Sequence, residues 1–233
     1  MPVLTRPLPT TRPTTRPSAL LTAALAASLV ASAGCATAAG PGAAPAVSAP
    51  IGIAALRHTD ADVHFMSGMI HHHAQAVLIA KWAATHVAGA DLQRLSERIV
   101  VAQADEIVLM QNWLKDKGAP VPEATPGAMK MVMDGMEHEM LMPGMLTESD
   151  LKQLDAARGT DFDRLFLTFM IRHHEGALEM VDKLFASPGA AQDETVFRFA
   201  SDVFADQSTE IRVMEEMLEA RGARGGAPPR PDR

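Results

Sequence analysis

Phe65-Met66-Ser67-Gly68-Met69-Ile70-His71-His72-His73-Ala74-Gln75-Ala76 returns as Phe166-Leu167-Thr168-Phe169-Met170-Ile171-Arg172-His173-His174-Glu175-Gly176-Ala177. Phe65, Met69, Ile70, His72, His73 and Ala76 all recur, 101 positions on. Their apolar members stand three and four apart, the period of a helix face. A second set, Gln103, Glu106, Ile107, Met110 and Leu114, recurs 104 positions later as Gln207, Glu210, Ile211, Met214 and Leu218. Each half of the chain is thus a helix pair built on one plan. Two such pairs predict an all-α four-helix bundle with a pseudo-two-fold arrangement.

The flanking sequence places the helices. The first is expected from about Asp62, read as its N-cap, to about His86, with Gly89 ending it. The second starts at Asp91, carries Leu95, Ile99, Ala102, Met110 and Trp113 at helical spacing, and stops at Gly118 and Pro120. The third opens at Thr147, with Asp150 in a capping-box position, and is expected to continue past Gly159. Its core face reads Phe162, Phe166, Phe169, His173, Met180 and Leu184. The fourth, Glu194 to Ala220, puts Phe199, Val203, Met214 and Met217 on one face. Tyr is absent and β-branched runs are scarce, so no strand pattern competes. The bundle domain is therefore placed at residues 58–220, with a methionine-rich connection at 125–146. Residues 35–57, mostly Ala, Pro, Gly and Ser, read as a flexible linker, and the Gly/Pro/Arg-rich residues 221–233 as a disordered tail.

Residues 1–34 hold Arg6, Arg12 and Arg16, no acidic residue, and an uncharged apolar run from Ala19 to Ala33. That is the pattern of a secretory signal peptide. The run is short of the ~20 apolar residues a membrane span needs, which disfavours the alternative of a retained anchor helix. Cys35, the sole cysteine, follows Ser32-Ala33-Gly34 and is expected to become the lipidated first residue of an exported lipoprotein. Ala31-Ser32-Ala33 and Ala36-Thr37-Ala38 also fit ordinary cleavage to a soluble product. Either route puts the domain outside the cytoplasm, in the cell envelope or periplasm. A lone cysteine allows no internal disulfide. Loss of three arginines with the signal takes the net charge from −7 to −10. So acidic a chain has no basic patch for phosphates, and nucleic acid is excluded as a partner.

In a helix Met69 neighbours His72 and His73, and Met170 neighbours His173 and His174. Thioether plus imidazole suits Cu(I), and imidazole also accepts Cu(II) or Zn(II). The competing reading is of core histidines satisfied by backbone or carboxylate partners. Glu106 and Glu210, with Gln103 and Gln207, lie on inner helix faces and must be paired, each toward a histidine of the neighbouring helix. Direct ligation and orientation of the imidazole from behind both remain open for them. Met110 and Met214 are ligand candidates or core filler. Residues 129–145 hold seven of the fifteen methionines, Met129, Met131, Met133, Met136, Met140, Met142 and Met145, with His138 among them. Met129, Met133, Met136 and Met140 share a helical face, so a packing stripe is one reading. Such avoidance of Leu and Ile in favour of sulfur is the other, with Met131, Met136, His138, Met140, Met142 and Met145 as soft-metal ligands. His71 aligns with Arg172 and reads as solvated or accessory. His58, His64 and His86 have no repeat partner and are weak candidates.

The runs Met69-Ile70-His71-His72-His73, Met170-Ile171-Arg172-His173-His174-Glu175-Gly176-Ala177 and Met142-Pro143-Gly144-Met145-Leu146-Thr147 resemble the signatures of the bacterial domain-of-unknown-function 305 family. The Gln-x-x-Glu-Ile-x-x-Met runs at Gln103 and Gln207 fit as well, and the resemblance spans about residues 58–220. It implies a ferritin-like bundle, exported, in a family with copper-binding members. The resulting expectation is an extracytoplasmic metal-binding protein that sequesters or transfers copper, Cu(I) favoured, with a delivery protein as a partner and no catalysis. One alternative is a structural or interaction bundle of the envelope. The other, a ferritin-like redox enzyme, needs a Glu-x-x-His motif that the chain lacks. No nucleophile–base arrangement or phosphate loop is visible in the sequence.

Overall fold

The computed structural model describes residues 58–87, 89–133 and 136–225. The described residues form α1 (Asp60–His86), α2 (Ala90–Asp116), β1 (Met129–Met133), β2 (Met136–Met140), α3 (Glu148–Ala156), α4 (Gly159–Ala186) and α5 (Glu194–Gly225). The signal peptide, the linker and Cys35 lie outside them. The long helices α1, α2, α4 and α5 make the four-helix bundle, α1 packing on α2 and on α4, and α4 on α5. Among the described residues no helix is long and apolar enough to cross a membrane.

The helix boundaries correct the expected ones in three places. Asp62 is not the N-cap of α1. Thr59 holds that position in a capping box, accepting from the Asp62 amide at 3.2 Å while its own amide donates to Asp62 Oδ2 at 2.7 Å. The freed oxygen, Asp62 Oδ1, accepts from the Ala191 amide at 2.7 Å and ties the start of α1 to the α4–α5 turn. The third region does not run through Gly159. Ala157 and Arg158 are extended and Gly159 has φ +61°, so a short α3, capped by Thr147 and Asp150 as expected, gives way to a separate α4. Finally, α5 does not stop at Ala220. Arg221, assigned above to a disordered tail, is helical and donates to Asp91 Oδ1 (3.0 Å) and Asp163 Oδ2 (3.2 Å).

The methionine-rich segment is the fourth correction. Residues 129–140 form no helix but an antiparallel two-stranded ribbon, with Met129 opposite Met140, Met131 opposite His138 and Met133 opposite Met136. These pairs alternate with Lys130–Glu139 and Val132–Glu137. Beyond the ribbon the chain recrosses the bundle at Met142-Pro143-Gly144-Met145. Glycines make that crossing possible. A Cβ on Gly176, in the middle of α4, would overlap the Pro143 carbonyl, and Gly144 sits at φ +74° against the α4 backbone. Gln75 fastens the far end, donating to the Leu146 carbonyl (3.0 Å) and accepting from its amide (2.6 Å). Covered on all sides, α1 is buried without interruption from Gly68 to Ala76. Hence it lacks the exposed polar stripe of an ordinary surface helix.

Candidate metal centre

The apolar core is in two parts. One contains Phe65, Met69, Met110, Trp113, Met180 and Phe199. The other contains Ile79, Leu95, Ile99, Phe166, Met170 and Met214. On every long helix the residues between the two parts are polar: His72 and His73 on α1, Gln103 and Glu106 on α2, His173 and His174 on α4, Gln207 and Glu210 on α5. The duplicated polar residues therefore meet in one layer across the middle of the bundle. All four histidines are completely buried.

Within the layer the two halves face each other. The rings of His72 and His173 lie 3.8 Å apart at the centre. Outside them, His73 Nε2 reaches Glu106 Oε2 and His174 Nε2 reaches Glu210 Oε2, each at 2.8 Å. A carboxylate oxygen accepts, so Nε2 is the donor in both bonds, and in the tautomer that ligates a metal the lone pair is then on Nδ1. The Pro143 carbonyl does the same to His72, 3.1 Å from its Nε2. The Nδ1 atoms of His72, His73 and His174 and both ring nitrogens of His173 have no hydrogen-bond partner, nor do Gln103 Oε1 and Gln207 Oε1. Buried polar atoms are nearly always paired, because leaving one unpaired costs ~1–3 kcal/mol. So many orphaned nitrogens in one layer mark a place suited to a ligand.

Electrostatics keeps the central rings uncharged. Burial pushes His72 and His173 well below the usual imidazole value of 6.5, and the neighbouring imidazoles add to the shift. For His72 the Pro143 carbonyl opposes it in part. A neutral imidazole is the form that ligates a metal. Between α2 and α5 a cleft of about 170 Å³, lined by Gln103, Glu106, Asp206, Gln207 and Glu210, opens onto the layer. Glu106 and Glu210, about a quarter exposed, span from solvent to the imidazoles. Burial, with Glu106, Asp202 and Glu210 close by, raises the Asp206 carboxyl. A cation approaching here meets negative charge first.

The thioethers are divided. Met69 and Met110 are fully buried on one side of the layer, Met170 and Met214 on the other. Met142 and Met145 join the core beside Met69. Met136, His138 and Met140 are exposed on the ribbon. Met131 is placed only by its backbone, opposite His138. Contrary to its reading as solvated, His71 is buried and donates from Nδ1 to the Thr125 carbonyl at 3.0 Å. Among the described residues no group of three or more His, Cys, Asp or Glu forms a ready-made metal cage. An ion in this layer would therefore draw on thioether sulfur as well as imidazole, a donor set that fits a soft d10 ion. Sequence reasoning missed the Pro143 carbonyl and Asp206. The mid-helix glycines Gly68 and Gly176 were the available signal that another segment crosses close by.

Comparison with known proteins agrees with this architecture. The structure is similar to that of a DUF305 protein from Streptomyces coelicolor, named as a proposed secreted protein, with 28% identity over 70% of this chain and 94% of that one and a TM-score of 0.59. A DUF305 fragment from Deinococcus radiodurans is 29% identical over 70% and 98%, with a TM-score of 0.57. CopM in its Cu(I)-bound form is 26% identical over 68% and 96%, with a TM-score of 0.52, and CopM has also been solved bound to Cu(II). No curated protein matches the sequence. The model of the domain of unknown function named DUF305 matches residues 62–218, which include the whole polar layer, and the chain belongs to that family.

Proposed function

We propose that this protein takes up and holds copper as Cu(I) outside the cytoplasm and passes it on without catalysing a reaction. The observation that carries the reading is the mid-bundle layer, where four buried imidazoles present five unpartnered nitrogens between Met69/Met110 and Met170/Met214. The likeness to copper-bound CopM supports it. His72, His73, His173 and His174, with the flanking thioethers, would hold the ion. Glu106 and Glu210 would aim the outer rings from behind, and the α2–α5 cleft would admit the ion. The methionine ribbon would add partial sites suited to capture and hand-over to a delivery protein. Export, with a lipid anchor at Cys35, is part of the proposal and rests on the sequence of residues 1–35.

The test is competition for Cu(I) against a chromophoric chelator under reducing, anaerobic conditions. Withdrawal of Cu(I) from a chelator with micromolar affinity is expected, and failure to compete at micromolar protein ends the proposal. A second reading, a bundle whose histidine layer only fixes helix register, draws on the lack of a three-residue cage among the described residues. It requires that Cu(I), Ag(I) and Zn(II) leave the melting temperature unchanged, because any ion bound by the folded state alone must raise it.

A further inference from the structure

Outside the polar layer, a second set of soft donors converges at the end of the bundle where α1 begins. A cavity of about 420 Å³ is walled by His64 and Phe65 of α1, Met140, Met142 and Pro143 of the crossing segment, and Met180 of α4. Three thioethers and one imidazole therefore line one space, although they come from three separate parts of the chain. Gly68, one turn after His64, lies beneath two of these thioethers. A Cβ there would meet Met142 Sδ at 2.7 Å and the Met180 methyl at 3.4 Å, so both side chains close over the same bare patch of helix. Met142 and Met180 are buried, Met140 is 42% exposed and His64 is exposed. The donors thus grade from solvent to interior. Glycine in mid-helix costs ~1 kcal/mol against alanine, and here it leaves room for a sulfur atom.

We propose that His64, Met140, Met142 and Met180 form a separate binding site for a soft monovalent ion, Cu(I) or Ag(I), distinct from the histidine layer. Thioether-rich sites with a single imidazole select Cu(I) over Zn(II) and oxygen-seeking divalent ions. Sulfur does not protonate, so such a site keeps most of its donors in acid. Its position has a further consequence. Met142 is bonded to Pro143, whose carbonyl holds His72. An ion seated on Met142 is one residue along the chain from a contact of the central layer. The site therefore acts as a loading point, filled from solvent through Met140 and His64 and emptied inward. This rests on the Cu(I) reading above for its ion, but on different residues.

The experiment is an Ag(I) and Cu(I) titration of the full chain carrying 13C-methyl methionine, followed by methyl NMR alongside the chelator competition. The wild type is expected to shift the Met140, Met142 and Met180 methyls together. The substitution M140L/M142L/M180L should remove one equivalent of Cu(I) and leave the equivalents held by the layer. Methionine-to-leucine exchange nearly conserves volume, and far-ultraviolet circular dichroism confirms that the fold survives. Should the triple variant fail to fold, H64A/M140L, confined to exposed positions, is expected to weaken the same equivalent at least tenfold. The converse variant H73A/H174A should keep the Met140/Met142/Met180 shifts. If the wild type binds ion but these three methyls do not move, or the variants bind as the wild type does, the loading site is wrong and the layer stands. If the wild type binds no ion at all, both fall.

Discussion

Replacing Gly176 by Ala tests whether the crossing segment is truly pressed into the bundle. In an ordinary exposed helix, Gly→Ala stabilises by ~1 kcal/mol. At Gly176 the added Cβ would overlap the Pro143 carbonyl and the Gly144 amide, backbone atoms that cannot swing aside. Overpacking of this kind costs ~1–3 kcal/mol. Moving the segment also breaks the bond from His72 Nε2 to Pro143, leaving a buried donor unpaired at ~1–3 kcal/mol more. Set against the propensity gain, the net expectation is a loss of about 1–5 kcal/mol. At ~2–4 °C per kcal/mol for a chain of this size, that lowers the melting temperature by roughly 2–20 °C. Gly68→Ala is the control. Its Cβ would meet only the Met142 sulfur and the Met180 methyl, the ends of flexible side chains, so the clash and the helix gain nearly cancel. Urea unfolding of both variants reads the difference directly. A Gly176→Ala protein as stable as wild type, or more so, would refute the seating of Pro143-Gly144 on α4.

Stability should fall in acid. His72 and His173 are held below 6.5 in the folded state, so as pH drops through 6.5 the unfolded chain binds protons first. The loss runs from about pH 6.5 down to the folded values, at up to about 2.7 kcal/mol per pH unit if both rings take part. A urea midpoint flat between pH 7 and 5 would contradict it. Converting the carboxylates that aim the outer rings, Glu106→Gln with Glu210→Gln, should weaken Cu(I) binding about 10–100-fold with helix content unchanged. Equal affinity in the chelator competition would show that the rings need no such orientation. On the ribbon, M136L with H138A should lower copper stoichiometry while shifting stability by less than about 0.5 kcal/mol, since both residues are exposed. Unfolding of that variant would mean the ribbon is packing and not capture.

The bundle was legible because its polar residues repeat along with its apolar ones. His72-His73 and Gln103/Glu106 sit at positions where an apolar helix face should continue, and their return as His173-His174 and Gln207/Glu210 marks them as one layer. The ribbon was not legible from the same habit of reading. Met129, Met133, Met136 and Met140 satisfy a helical period, yet Met129, Met131 and Met133 also satisfy a strand period. Asp134-Gly135, a dipeptide favoured in two-residue hairpin turns, was the signal that decides between them. Thr59 was likewise visible three residues before Asp62, the spacing of a capping box. The crossing at Pro143 lies beyond periodicity altogether. It depends on contacts between positions 71 apart, which no local pattern encodes.

Duplication hands a protein two equal copies of a residue, and the strand of chain that joins the copies can make them unequal. Here the joining segment lies against both α1 and α4, yet its carbonyl satisfies His72 while His173, whose ring centre is 3.8 Å from that of His72, has no hydrogen-bond partner on either ring nitrogen. Two imidazoles descended from one motif thereby differ in their hydrogen bonding. Symmetry is broken without a single substitution in either ring.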